Sequence, residues 1–172
     1  MNLPDGNTIS AAEHTMSLLS ALSRNVHEGH LGLMKGEWNR HQLVGNELKD
    51  KTIGIVGLGK IGREVMKRAL SYDMNVIGHD PFVNQEMFDP DTIKIVDIDY
   101  LTTESDFITV HVPLIDATRD LFDINRLKMM KSSSRIINVA RGGIINEKDL
   151  SVALNDGITV SYTHLRAHET FG

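Results

Sequence analysis

A chain of 172 residues, with 41% hydrophobic and 24% charged residues, has the size and composition of one soluble globular domain. The net charge of −5 argues against non-specific nucleic-acid binding, and the absence of cysteine excludes disulfides, thiolate metal sites and cysteine nucleophiles. No apolar run approaches the ~20 residues of a membrane span and no signal peptide opens the chain, so a cytoplasmic protein without a membrane or nucleic-acid partner is expected.

The first 46 residues predict a long helix followed by an irregular arm. Residues 10–13 read Ser-Ala-Ala-Glu, a capping box, and an apolar stripe at helical spacing runs from Met16 to Val26. This helix precedes every predicted strand, so we expect it to cross the sheet or to connect from an upstream element. Residues 29–46 are polar and glycine-rich, and Trp38 is expected either in the core or at a subunit contact. His14 and His27 have no paired ligand, so no metal site is predicted.

A strand, a glycine turn and a helix follow between residues 52 and 70. The turn reads Gly-Leu-Gly-Lys-Ile-Gly over residues 57–62 and fits the G-x-G-x-x-G pattern of dinucleotide-binding folds. In such a fold Gly57 allows the tight turn, Gly59 lets the backbone approach a pyrophosphate, and Gly62 lets the helix pack against the strand. The pyrophosphate would face unpaired N–H groups at the start of the helix.

The acidic residue expected after such a turn is present. The next strand, residues 75–79, ends at Asp80, which lies 18 residues beyond Gly62. A carboxylate at about this distance binds the ribose hydroxyls of the dinucleotide. The structural alternative is that Asp80 is only a turn residue before Pro81. No arginine follows to accept a 2′-phosphate, so the pattern favours NAD over NADP.

Strands continue to alternate with helices to about residue 155, which predicts an α/β fold with a doubly wound parallel sheet of Rossmann type. Ligands of such sheets bind beyond the carboxyl ends of the strands, where Gly57, Asp80, His111 and Arg141 all fall. Arg141 stands between small residues, which suits a partner for a substrate carboxylate better than a core residue. Its structural alternative is a surface arginine at a turn.

Four motifs together resemble the D-isomer-specific 2-hydroxyacid dehydrogenases over residues 2 to about 157. They are residues 6–14 (Gly-Asn-Thr-Ile-Ser-Ala-Ala-Glu-His), the glycine turn with Asp80-Pro81-Phe82, His111-Val112-Pro113-Leu114, and residues 138–143 (Asn-Val-Ala-Arg-Gly-Gly). The first of these points towards the phosphoglycerate-oxidising members of the family. Alternatives are a related glyoxylate or hydroxypyruvate reductase, a D-lactate dehydrogenase, or a non-catalytic NAD-sensing co-repressor.

The resemblance implies an NAD-dependent oxidoreductase acting on a small 2-hydroxy acid, working as a homodimer or larger homo-oligomer. It assigns residues 1–50 to a crossover helix with a dimerisation arm and residues 51–158 to the NAD-binding domain. Arg141 would be the catalytic arginine that binds the substrate carboxylate. The residues expected to contact NAD are Gly57, Gly59, Lys60, Ile61, Gly62, Asp80, His111, Val112, Pro113, Val139 and Ala140.

The resemblance ends after residue 157, where members of the family continue with another strand, a catalytic Glu and a catalytic His. We therefore expect an incomplete half-sheet and an inactive fragment. Residues 160–170 instead match one reading frame of a transposase-type sequencing adapter, so residues 159–172 are interpreted as a non-native tail. We expect this tail to have no fixed place in the sheet. Its residues His164, His168 and Glu169 are expected to be unpaired with Arg141.

Overall fold

The structure, a computed structural model, describes residues 6–38 and 40–156, together with the backbone of residues 161–164. Six helices and six strands alternate through most of this range. The helices are α1 (Thr8–Ser23), α2 (Val26–Met34), α3 (Lys60–Leu70), α4 (Ile98–Glu104), α5 (Ile124–Met129) and α6 (Glu147–Asn155). The strands are β1 (Thr52–Val56), β2 (Asn75–His79), β3 (Lys94–Ile95), β4 (Phe107–Val110), β5 (Arg135–Asn138) and β6 (Ser161–His164).

The strands form one parallel sheet in the order β3-β2-β1-β4-β5-β6, which confirms the doubly wound α/β fold. This is the strand order of dinucleotide-binding domains built from two halves. The order reverses between β1 and β4, and Val56 pairs with both His79 of β2 and Val110 of β4. Val110 in turn pairs with Asn138 of β5. The carboxyl ends of four strands therefore meet at one edge of the sheet.

Helices cover both faces of the sheet because its central strands are apolar on both sides. All four residues of β4 and the last four of β1 are buried, as is usual for parallel strands. One core cluster joins α1 and α3 to one face, and a second joins α5 and α6 to the other. Helices α4, α5 and α6 each begin where an Asp or Asn side chain accepts a backbone N–H, at Asp97, Asp123 and Asn146.

The N-terminal region differs from the sequence expectation in three respects. The capping box is wrong, because α1 starts at Thr8 and no side chain caps it. The helix also breaks at Asn25, whose left-handed backbone (φ 52°) separates α1 from α2. Helix α2 thus occupies part of the segment predicted as an irregular arm. Trp38 is 69% exposed, which removes the core alternative for this residue.

The expectation that the chain after residue 157 has no place in the sheet is wrong for residues 161–164. They form β6, which pairs in parallel with β5 from Arg135 opposite Ser161 to Asn138 opposite His164. The half-sheet that begins with β4 thus has three strands, β4, β5 and β6, and it does not end at β5. His168 and Glu169 lie outside the described residues. Across the described residues, no helix combines the length and apolarity needed to cross a bilayer.

Candidate cofactor and substrate site

The glycine turn is packed so tightly that two of its positions exclude any side chain. Gly57 has φ +96°, and a Cβ there would lie 2.8 Å from the carbonyl oxygen of His111. A Cβ at Gly62 would overlap the carbonyl oxygen of Gly57. Gly59, by contrast, caps α3 in an extended conformation and faces open space. The first N–H groups of α3 therefore lie at an open position that a negatively charged group can approach.

Asp80 joins the end of β2 to this turn. Its two carboxylate oxygens accept the N–H groups of Leu58 at 2.9 Å and Phe82 at 3.0 Å. Gly57 also donates its N–H to His79 at 2.8 Å, so β1, the turn and β2 are held as one unit. Each oxygen of a carboxylate can accept a further hydrogen bond. Asp80 can therefore hold the turn and still accept from a hydroxyl group.

A cleft of about 550 Å³ lies at the carboxyl ends of β4 and β5. Its lining brings together seven of the predicted residues: Ile61, His111, Val112, Pro113, Val139, Ala140 and Arg141. The other five, Gly57, Gly59, Lys60, Gly62 and Asp80, belong to the adjoining turn and are not part of this lining. Sequence reasoning missed Asn7 and Ala11, which reach the cleft from the start of α1, and Leu114. The signal for the first two was the motif of residues 6–14, which had no assigned position.

His111 forms a neutral polar wall of this cleft. Burial lowers the pKa of His111 to about 4, so the imidazole is uncharged near pH 7. Its Nε2 lies 2.8 Å from the hydroxyl of Thr109, and its backbone N–H donates to Val56 at 2.7 Å. A histidine with so low a pKa is a weak base at neutral pH. His111 therefore suits contact with a ligand better than proton transfer.

Arg141 supplies the positive charge of the cleft. The buried Asn138 accepts the N–H of Ala140 at 3.0 Å and donates to the carbonyl of Arg141 at 2.8 Å, which clamps the backbone on both sides. The guanidinium donates to the carbonyl of Ala140 at 3.1 Å, and no carboxylate among the described residues pairs with it. Most of its five donors thus stay available to an anionic ligand. Asn138 belongs to the sequence motif of residues 138–143, but no role was predicted for it.

The residues that the structure describes contain no group of three or more His, Asp or Glu side chains placed to hold a metal ion. The charged groups at this edge of the sheet are Arg141 in the cleft and Asp80 at the adjoining turn. A glycine cradle at a helix N-terminus, an acid at the end of β2 and a strand reversal beside it define a dinucleotide-binding domain of the doubly wound class.

Comparison with known sequences assigns the domain to a family. A profile described as "D-isomer specific 2-hydroxyacid dehydrogenase, NAD binding domain" matches residues 16–163. The chain belongs to this family of NAD-binding domains, as the four motifs predicted. The match extends to residue 163, inside the segment interpreted as adapter-derived. That this segment is encoded by a sequencing adapter stays a prediction.

Similar proteins of established name differ in their substrates. The chain is 44% identical over 158 residues to a D-3-phosphoglycerate dehydrogenase of Methanocaldococcus jannaschii, covering 91% of this chain and 30% of that protein. Among solved structures, an NAD-dependent formate dehydrogenase of Staphylococcus aureus in complex with NAD has a TM-score of 0.87 and 38% identity, covering 95% of this chain and 49% of that one. A D-lactate dehydrogenase of Escherichia coli has a TM-score of 0.85 and 25% identity, covering 92% and 50%. The chain spans about 30% of the length of the curated relatives it matches.

Proposed function

We propose that this chain is the NAD-binding part of a dehydrogenase that oxidises D-3-phosphoglycerate to 3-phosphohydroxypyruvate, the first step of serine biosynthesis. The observation that carries the proposal is Arg141, a cation without a carboxylate partner among the described residues, held by Asn138 beside a glycine cradle. An enzyme for 2-hydroxy acids needs such a group to bind the substrate carboxylate close to the cofactor.

The residues of the turn fit an NAD molecule. The open position at Gly59 leaves room for the pyrophosphate, with the backbone N–H groups of Lys60 and Ile61 as its donors. Asp80 would accept from the ribose hydroxyls through acceptor positions that its two backbone contacts leave open. The remaining proposed contacts line the cleft towards Arg141 and are His111, Val112, Pro113, Val139 and Ala140.

The proposed chemistry is the removal of a hydride and a proton from the substrate alcohol. NAD, when bound, takes up the hydride from C2, and the hydroxyl proton passes to a base. Arg141 binds the carboxylate and polarises the carbonyl that forms at C2. None of the described side chains is assigned as that base, because the neutral His111 is too weak. We therefore expect the 172-residue chain to bind NAD without turning over phosphoglycerate.

The choice of phosphoglycerate rests on the curated relatives and on the motif of residues 6–14. The first three curated relatives, at 41–44% identity, are all named D-3-phosphoglycerate dehydrogenase. The solved structures named after formate and D-lactate share the fold at 38% and 25% identity. The motif lines the cleft with Asn7 and Ala11, which supports a part for it in the choice of substrate.

The test is a steady-state comparison of substrates with a full-length protein that carries this chain. With NAD present, kcat/KM for D-3-phosphoglycerate should exceed the values for D-lactate and formate by about 100-fold or more. A higher value for either of these two acids, or for glyoxylate or hydroxypyruvate in the reverse direction, would replace the proposed substrate. NAD binding without turnover of any of them would favour the NAD-sensing co-repressor.

We also propose a second copy of this chain as a partner. Helix α2 and the segment after it present large apolar side chains to solvent, and residues of this kind usually mark an interface. They are Val26, Leu31, Leu33, Met34, Trp38 and Val44, which are 41–79% exposed. Sedimentation of the full-length protein at micromolar concentration should give a dimer or a larger homo-oligomer. A monomer that persists at that concentration would contradict the proposal.

A further inference from the structure

A second pocket lies at the opposite edge of the sheet, where β1 and β2 begin. We call it the basal pocket; its volume is about 460 Å³, and it is enclosed by the end of α1, residues 46–49 and Tyr72 after α3. The same helix reaches the cofactor cleft at its other end, through Asn7 and Ala11. Sixteen helical residues span about 24 Å at 1.5 Å each, so the two sites are separate.

One wall of the basal pocket is held by specific backbone contacts. Asn46 donates its N–H to the carbonyl of Ser23 at 2.7 Å, and the side-chain amide of Asn25 donates to Val44 at 3.1 Å. A Cβ at Gly45 would lie 2.5 Å from the carbonyl oxygen of Ser23, so the close approach requires glycine. The shape of the pocket is therefore specified by the sequence around residues 23–25 and 44–46.

Four of the residues that line the basal pocket carry charged or hydroxyl donors on their side chains. They are the exposed Arg24, Lys49 and Tyr72 and the half-buried Ser20. Within the described part of the chain, none of these side-chain groups makes a hydrogen bond or an ion pair. Among the lining residues that the structure describes, Glu47 is the one carboxylate, so Arg24 and Lys49 leave an excess of positive charge. Guanidinium, ammonium and hydroxyl groups together favour a phosphate.

The end of α1 would repel an anion if its last carbonyl groups were free. The carbonyl of Ser20 accepts the N–H of Arg24 at 3.2 Å and the hydroxyl of Ser23 at 2.9 Å. The carbonyl of Ser23 accepts the N–H of Asn46. These hydrogen bonds occupy two of the last four carbonyl groups of α1, which weakens the repulsion of an anion at this end of the helix. Leu48 and the ring of Tyr72 add an apolar surface beside them.

We propose that the basal pocket binds a small phosphorylated metabolite. Arg24 and Lys49 bind its phosphate, the hydroxyls of Ser20 and Tyr72 donate to it, and Leu48 with the Tyr72 ring contacts its carbon skeleton. This site is additional to the proposed dehydrogenase function and does not depend on it.

The experiment is an NMR titration of the ¹⁵N-labelled chain with inorganic phosphate and with glycerol 3-phosphate at constant ionic strength. It uses the Arg141→Gln variant as background, so that phosphate bound in the cofactor cleft by Arg141 is not counted. Amide shifts should cluster at Ser20, Arg24, residues 46–49 and Tyr72. Shifts confined to the glycine turn, or spread over all exposed lysines, would overturn the proposal.

Charge-matched variants separate specific binding from general attraction. Arg24→Gln/Lys49→Gln should weaken glycerol 3-phosphate binding about tenfold or more, whereas Lys128→Gln/Lys148→Gln removes the same charge elsewhere and should leave it unchanged. Equal loss in both pairs would overturn the proposal. Lys49 is exposed, so Lys49→Gln alone repeats the test if Arg24→Gln disturbs the turn, with about a threefold loss expected.

The carbon skeleton is tested by the difference between the two ligands. Glycerol 3-phosphate should bind more tightly than inorganic phosphate, and Tyr72→Ala should abolish that difference. Equal affinities in the unmutated pocket would reduce the site to an adventitious ion only and overturn the proposal. If a dimer covers the pocket and neither ligand binds, the proposal is overturned as well.

Discussion

The two halves of the carboxyl edge of the sheet are built in different ways. At β1 and β2 the site is made of backbone: the glycines shape it, and Asp80 is held by the N–H groups of Leu58 and Phe82. At β4 and β5 it is made of side chains, with His111 in the wall and Arg141 exposed at the mouth. A backbone site is altered only by disturbing the fold, whereas a side-chain site can be altered without disturbing it. Under the proposed function, the backbone part would hold the cofactor and the side-chain part would select the substrate.

The largest effect on activity is expected from a substitution in the side-chain part of the site, at the ends of β4 and β5. In a full-length protein, Arg141→Gln should lower kcat/KM by about 10²–10³-fold, the usual loss when a charge-stabilising donor is removed. The unfolding midpoint should not change, because Arg141 is exposed. Lys148→Gln, which removes one charge from α6, serves as the control. Retention of kcat/KM within a few-fold would show that Arg141 does not bind the substrate.

Substitutions in the glycine turn, the backbone part of the site, should lower the stability of the fold. Gly62→Ala forces a Cβ onto the carbonyl oxygen of Gly57, and overpacking of this kind costs ~1–3 kcal/mol. Urea denaturation of the 172-residue chain should show a lower free energy of unfolding by about that amount. Gly59→Ala is the matched control, since its Cβ enters open space and only the loss of a preferred N-cap residue, under ~1 kcal/mol, is expected. Equal losses in the two variants would contradict the steric interpretation.

The buried imidazole of His111 should make stability depend on pH. Its folded-state pKa of about 4 lies below the ordinary value of 6.5, so between these two values the unfolded chain binds more protons than the folded chain. Stability is therefore complete above pH 6.5 and falls as the pH is lowered towards 4. From pH 7 to pH 5 the free energy of unfolding should decrease by about 2 kcal/mol more in the unmutated chain than in His111→Gln. Parallel pH profiles of the two proteins would exclude this contribution.

The smallest effect is expected at Asp80, where backbone and side chain share the task. Asp80→Asn keeps an oxygen for one backbone N–H but removes the negative charge. It should weaken NAD binding about tenfold and narrow the preference over NADP, because the repulsion of a 2′-phosphate is lost. Titration of both cofactors against the variant, with the exposed Asp116→Asn as control, measures the change. Equal affinity of the unmutated chain for NAD and NADP would remove the basis of the prediction.

Much of the cofactor half could be predicted because its determinants are local. The spacing from Gly57 to Gly62 fixes the turn within six residues, and Asp80 follows from the length of one helix and one strand. Arg141 was predicted as a site residue because a guanidinium between small residues at a strand end suits a carboxylate partner better than a core position. Helix α2 was missed because glycines at 29 and 32 lower helix propensity, while in the structure the helix contacts α1.

The sequence by itself determined the α/β alternation, the glycine turn, the acid after β2 and the arginine after β5, because these depend on spacing along the chain. Only the tertiary structure decided that Asn7 and Ala11 reach the same cleft, since α1 must cross the sheet to bring them there. It also decided the clamp by Asn138 and the pairing of β6 with β5. Those contacts join segments or atoms whose approach depends on packing and on backbone geometry, and no local pattern in the chain encodes them.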